Sequence, residues 1–163
     1  MSHGSNPSGV CLTPLPTRRA TIRLGQRLAA VLGPGDLMIL DGPLGTGKTF
    51  LVRSVCRALG LDASMPVTSP TFSLVHEHET VPRIAHADLY RIDSAASIRD
   101  LGLDAMREDG YLVVVEWGSA FLAALGGDAL VVRLELDPRR AWVTATGPRS
   151  VAALTQLDES QPC

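Results

Sequence analysis

The stretch Gly42-Pro43-Leu44-Gly45-Thr46-Gly47-Lys48-Thr49 satisfies the pattern GxxxxGK[ST] and stands between a short apolar run and a helix-like segment. Glycines at these offsets let successive backbone N–H groups turn toward one anion, and the helix start behind them adds partial positive charge. Leu44, Gly45, Thr46, Gly47, Lys48 and Thr49 are therefore the expected phosphate cradle, with Lys48 reaching the β- and γ-phosphates. Thr49 offers a hydroxyl to a magnesium ion, which takes oxygen ligands and keeps several waters. A bare turn has no use for Lys-Thr at these positions, so binding of ATP or GTP is the direct reading.

Such a site needs a carboxylate at a nearby strand tip to hold the metal and its waters. Glu116 closes the apolar run that starts at Tyr111 (YLVVVE) and is expected at the C-terminal end of a buried strand, where ligands bind in open parallel sheets. Asp88 closes the run from Arg83 (RIAHAD) and is expected to orient water or stand beside the metal. Lys48, Asp88 and Glu116 are thus the catalytic candidates, and Thr49 with Glu116 the metal candidates. His86 shares the face of Asp88 in a strand and reads equally well as a hydrogen-bonded structural histidine. His76, Glu77, His78 and Glu79 alternate in the manner of a solvated strand face rather than a transition-metal cluster. Ser69-Pro70-Thr71-Phe72 falls where a segment sensing the γ-phosphate would sit, with Thr71 supplying a hydroxyl.

The elements that must position these residues follow from periodicity. Ile22, Leu24, Leu28, Val31 and Leu32 recur at helical spacing after a Thr17 cap, and Gly33-Pro34-Gly35 stops the helix. Leu37 to Leu40 is a continuous apolar run of the kind buried on both faces of a parallel sheet, and Thr49 to Leu59 is helical again, ending at Gly60. Phe72 to Thr80 and Arg83 to Leu89 are extended segments, and Ser94 to Asp109 is two short helices broken near Gly102. Tyr111 to Val115 is a second buried strand, and Phe121 to Leu125 a helical turn. Ala129 to Leu136 and Ala141 to Thr146 form a terminal hairpin, and Ser150 to Leu157 a last short helix. The fold class expected is α/β: a three-layer, P-loop NTPase-like arrangement with a mixed, mostly parallel central sheet and a C-terminal antiparallel extension. Residues 1–16 read as a flexible lead, 17–157 as one domain and 158–163 as a frayed end.

Composition bounds the rest. The 163 residues carry 15 Lys plus Arg against 17 Asp plus Glu and only three Phe, two Trp and two Tyr, so neither a positive field nor stacking platforms favour direct DNA or RNA binding. Cys11, Cys56 and Cys163 are odd in number and lack CxxC spacing, which points to neither a disulfide framework nor a zinc site. No apolar run has the roughly 18–20 residues of a spanning helix, and a cytoplasmic protein without membrane attachment is expected.

The strings LPTRRATIRLGQRLA, GPLGTGKT, SPTFSLV, HADLYRI and VVVEWG occur in one order between about Leu15 and Gly147. In this the chain resembles the TsaE (YjeE) family. The resemblance implies a small bacterial ATPase with ATP and Mg²⁺ as cofactors, working with the partner proteins TsaD and TsaB in forming the threonylcarbamoyl modification of the tRNA adenosine beside the anticodon. The tRNA would be met indirectly, through the partners. By motif, Leu44 to Thr49 match the phosphate cradle, Thr49 and Glu116 the magnesium position, and Asp88 the residue linked to hydrolysis. Trp117 matches the family's Glu-Trp pair, Ser69 and Thr71 its switch-like SPT segment, Arg140 an arginine contacting nucleotide, and Thr17 with Arg18 the adenine side. Pro43 and Thr46 depart from the family's common loop form, and Pro43 has no N–H to give a phosphate. Two other readings share the motif: a nucleotide-gated binding module without hydrolysis, and a small phosphotransferase.

Overall fold

The computed structural model describes residues 9–160. Its sheet has seven strands in the order β1-β7-β6-β2-β5-β4-β3. These are β1 (Val10–Pro14), β2 (Leu37–Asp41), β3 (Val75–His78), β4 (Ile84–Asp88), β5 (Leu112–Glu116), β6 (Leu130–Leu136) and β7 (Arg139–Ala145). β2 pairs in parallel with β5 and β6, and β4 in parallel with β5, so four strands run the same way through the centre. β7 is antiparallel to β6, β1 to β7 and β3 to β4. The sheet is therefore mixed, with antiparallel strands at both edges and not only after the C-terminal hairpin. One edge is β1, from the segment expected to be a flexible lead, whose residues 1–8 lie outside the described ones.

Both faces of the centre are covered. On one, α1 (Arg18–Val31), α2 (Lys48–Ala58) and α5 (Pro148–Ser160) pack Leu24, Leu28, Leu51, Val55 and Leu157 against Met38, Leu40, Val114 and Val132. On the other, the short helices α3 (Ala95–Arg99) and α4 (Leu103–Glu108) set Ile98 and Leu103 against Leu37, Ile39, Val113 and Val115. Each of β2, β4 and β5 is buried along nearly its whole length, the physical reason β2 and β5 read as unbroken apolar runs up to their terminal acids. Thr17 caps α1 by accepting from the Ala20 N–H at 3.1 Å, and Gly102, at φ 72°, separates α3 from α4. α5 extends to Ser160, beyond the Leu157 end read from the sequence.

Cys11 is disulfide-bonded, a pairing that the cysteine count and spacing did not indicate, while Cys56 is a buried free thiol. Among the described residues no helix is long and apolar enough to cross a membrane.

Candidate functional site at the C-terminal ends of the parallel strands

β2 delivers the glycine loop directly to the N-terminus of α2. Two of its glycines are required by shape. A Cβ at Gly42, where φ is 133°, would lie 2.4 Å from the Leu134 carbonyl oxygen, and Gly47 caps α2 in the left-handed region at φ 97°. The loop closes on itself through one acceptor: the Pro43 carbonyl receives the Thr46 hydroxyl at 2.9 Å and the Lys48 ammonium at 2.9 Å. Lys48 Nζ also donates to the Gly42 carbonyl at 2.7 Å and stands 4.1 Å from the centre of the Trp117 ring. The ammonium is buried, which lowers its pKa, while the charges of Glu116, Asp41 and Asp88 act to raise it.

Glu116 and Asp88 end neighbouring parallel strands and are paired across the ladder, so both carboxylates reach the same end of the sheet. Both are buried. Glu116 Oε1 accepts from Thr49 Oγ1 at 2.9 Å and bonds His86 Nε2 at 2.8 Å. A threonine that gives its one proton to a carboxylate presents only lone pairs elsewhere, the state a metal ligand must have. Asp88 is held by the Tyr90 N–H at 2.9 Å on Oδ1 and by the Ser69 hydroxyl on Oδ2. Thr71 Oγ1 in turn donates to Ser69 Oγ at 3.4 Å, so the segment expected to sense the γ-phosphate is tied to Asp88. Two non-glycine residues in the left-handed region flank the site, Leu74 at φ 64° and Trp117 at φ 62°. Backbone held this way is concentrated where surrounding structure over-determines it.

Lys48, Thr49, Asp88, Glu116, Ser69 and Thr71 line one open cavity of about 460 Å³, which Leu44, Gly45, Gly47 and Trp117 also border. Thr46 is buried in the loop, bonded as above. Arg140 is the exception among the expected site residues. It points to the opposite face of the sheet, where its guanidinium pairs with Glu135 and lies 5.2 Å from the Trp142 ring centre. Its neighbour Arg139 faces the loop, 3.7 Å from where a Cβ on Gly47 would be. Alternation along β7 makes this a one-residue decision between faces, and two adjacent arginines gave no pattern to make it. Sequence reasoning also passed over Phe50 and Tyr90, which border the cavity. Arg18 reaches the site through Phe50, 5.3 Å over its ring, and Tyr90 stacks at 5.0 Å on Trp117.

The donor set suits a hard cation bound together with phosphates: a hydroxyl and two carboxylates, all oxygen. Among the described residues no group of three or more His, Cys, Asp or Glu side chains is placed to hold a metal by itself, so phosphate and water oxygens would have to complete the shell. The alternating His and Glu of β3 divide between two environments. Glu77 and Glu79 are exposed and pair with Arg83 at 3.1 and 3.4 Å, whereas His78 is buried. The solvated face expected there is therefore only its glutamate half. His78 carries a pKa lowered to about 4 by burial and then by His86 and His76.

Fold and site together define the class: a mixed α/β protein whose candidate site is a glycine loop and two strand-tip acids at one end of a central parallel sheet. The chain belongs to the TsaE family, for the family model described as threonylcarbamoyl adenosine biosynthesis protein TsaE matches residues 15–141. Among relatives named tRNA threonylcarbamoyladenosine biosynthesis protein TsaE, that of Mycobacterium tuberculosis H37Rv is 40% identical over 131 residues, covering 74% of this chain and 76% of its own. The Streptomyces coelicolor protein is 37% identical over 80% of this chain and 93% of its own, and the Rickettsia felis protein 31% identical over 87% and 83%. A crystal structure of Bacillus subtilis YdiB superposes with a TM-score of 0.72 at 24% identity, covering 93% of this chain and 95% of that one, a likeness of fold.

Proposed function

We propose that this chain is a Mg²⁺-dependent ATPase of the cytoplasm that supports TsaD and TsaB in forming the threonylcarbamoyl modification of tRNA adenosine. Family membership supports the pathway. The observation that carries the chemistry is the 2.9 Å bond from Thr49 to Glu116 inside the cavity that also contains Lys48 and Asp88.

The loop N–H groups from Leu44 to Thr49 and the Lys48 ammonium bind the β- and γ-phosphates, the ammonium exchanging its bonds to the Gly42 and Pro43 carbonyls for phosphate oxygens. Thr49 and Glu116 hold the magnesium ion, which when bound neutralises charge on the β- and γ-phosphate oxygens. Asp88, fixed by Ser69 and the Tyr90 N–H, holds the attacking water and accepts its proton. Arg139 and Arg18 with Phe50 border the nucleoside side. Hydrolysis in this reading is almost wholly positioning and electrostatic stabilisation. The tRNA is met through the partners, in keeping with a chain of net charge −2.

The test is phosphate release at fixed magnesium by the purified chain, alone and with TsaD and TsaB, for wild type and for Lys48→Ala, Asp88→Ala and Glu116→Ala. Turnover stimulated by the partners and lost in the variants is expected. Tight ATP binding without turnover in any mixture replaces this reading with the nucleotide-gated module.

A further inference from the structure

His86 lies on β4 with no exposed surface, between Val114 of β5 and His76 of β3 in the ladder, and the centres of the His76 and His78 rings are 6.5 and 6.0 Å from its own. Its Nδ1 is buried without a hydrogen-bond partner, and its Nε2 makes one bond, 2.8 Å to Glu116 Oε1. A polar ring buried with half its bonding capacity unmet is costly, and an aliphatic residue would fill the same space without that cost. The one thing an imidazole supplies here that an aliphatic side chain cannot is an N–H aimed at Glu116. With Nδ1 unpartnered, the tautomer that fits carries its proton on Nε2, because an unmet lone pair is cheaper to bury than an unmet N–H. Oε1 then receives two donors, Thr49 from α2 and His86 from β4. Among the described residues, hydrogen bonds to the Glu116 carboxylate go to Oε1, and Oε2 remains for a metal or its water.

We infer that His86 is a positioning residue for the divalent cation: its Nε2–H fixes the Glu116 carboxylate, which in turn fixes the Thr49 hydroxyl with its lone pairs toward the phosphates. This rests on the magnesium reading given under Proposed function and deepens it. Outer hydrogen-bond partners of this kind typically account for about 10–100-fold in metal affinity.

The experiment titrates MgCl₂ into the full chain with a fluorescent, non-hydrolysable ATP analogue, and repeats the nucleotide titration in EDTA. The variants are His86→Leu, which removes the donor, His86→Gln, whose amide N–H reaches the place of Nε2, and His86→Asn, whose amide stops at the place of Nδ1. The expected result is a magnesium requirement raised about 10–100-fold in His86→Leu and His86→Asn and restored in His86→Gln, with affinity in EDTA the same for all. A structural role would not separate glutamine from asparagine, so that pair decides the matter even where His86→Leu does not fold. If wild type needs magnesium and the asparagine and glutamine variants behave alike, this inference alone is overturned. If wild-type binding ignores magnesium, the metal reading falls and this inference with it.

Discussion

Thr49, the second residue of α2, donates its hydroxyl proton to Glu116 at the tip of β5, 67 residues further along the chain, over 2.9 Å. The bond joins the end of the glycine loop to the neighbouring parallel strand. It also sets the orientation of both oxygen groups before any ligand arrives, and preorganisation of this kind costs nothing at the moment of reaction.

Replacing Thr49 by Val keeps the volume and removes that bond together with the metal ligand proposed above. Magnesium affinity measured with bound nucleotide is expected to fall roughly 10–100-fold, while nucleotide binding in EDTA stays at the wild-type level. Equal magnesium titration curves for the two proteins would count against the assignment of Thr49.

The two adjacent arginines of β7 separate by face. Arg139→Ala is expected to weaken nucleotide binding by about 10–100-fold, the worth of a charge-assisted hydrogen bond to phosphate or ribose. Arg140→Ala removes a pair with Glu135 that is about one-third exposed, so it is expected to cost under about 1 kcal/mol of stability and to leave nucleotide affinity unchanged. A fluorescence titration and a thermal melt of each variant check both statements.

Ser69→Ala frees Asp88 Oδ2 from its hydroxyl donor but leaves the Tyr90 N–H on Oδ1. Hydrolysis is expected to drop roughly tenfold with nucleotide affinity retained, the size of one hydrogen bond lost from an acid that needs a fixed orientation. Single-turnover phosphate release beside an equilibrium titration separates the two effects.

His78 titrates far below its ordinary value of 6.5, at about 4, because burial disfavours its charged form and His86 and His76 add repulsion. Between these two pH values the unfolded chain binds a proton there that the folded chain does not. Stability therefore falls as the pH is lowered from about 6.5 to about 4, by up to about 3 kcal/mol from this group. In His78→Leu this part of the slope is absent, so denaturant unfolding of the two proteins at pH 7 and at pH 4.5 should show wild type losing more. Parallel losses would show that His78 is free to protonate in the fold.

The local elements were legible because they obey short-range rules. Six of the seven strands, β2 to β7, fall in buried runs or extended segments, α1 and α2 carry helical periodicity with a threonine cap or a glycine stop, and GxxxxGK[ST] needs only eight consecutive residues. Glu116 and Asp88 could be named from the same rules, as acids closing apolar runs, and the family strings placed the chain among relatives that its similarity at 31–40% identity supports. Val10–Pro14 could not be read as a strand, since three prolines, two glycines and three serines in residues 1–16 hide an edge strand whose partner is β7, some 130 residues away.

What tertiary structure alone decided is which side chains converge. That β4 and β5 lie side by side in parallel brings Asp88 opposite Glu116, and the same register places His86 within 2.8 Å of Glu116 Oε1. The face given to β7 sends Arg139 rather than Arg140 to the loop, and the closeness of β6 to the loop forbids a side chain at Gly42. Periodicity and motif depend on neighbours a few residues apart and so belong to the sequence itself. Strand order and register depend on burying both faces of one sheet at once, a property of the whole chain that no local window contains.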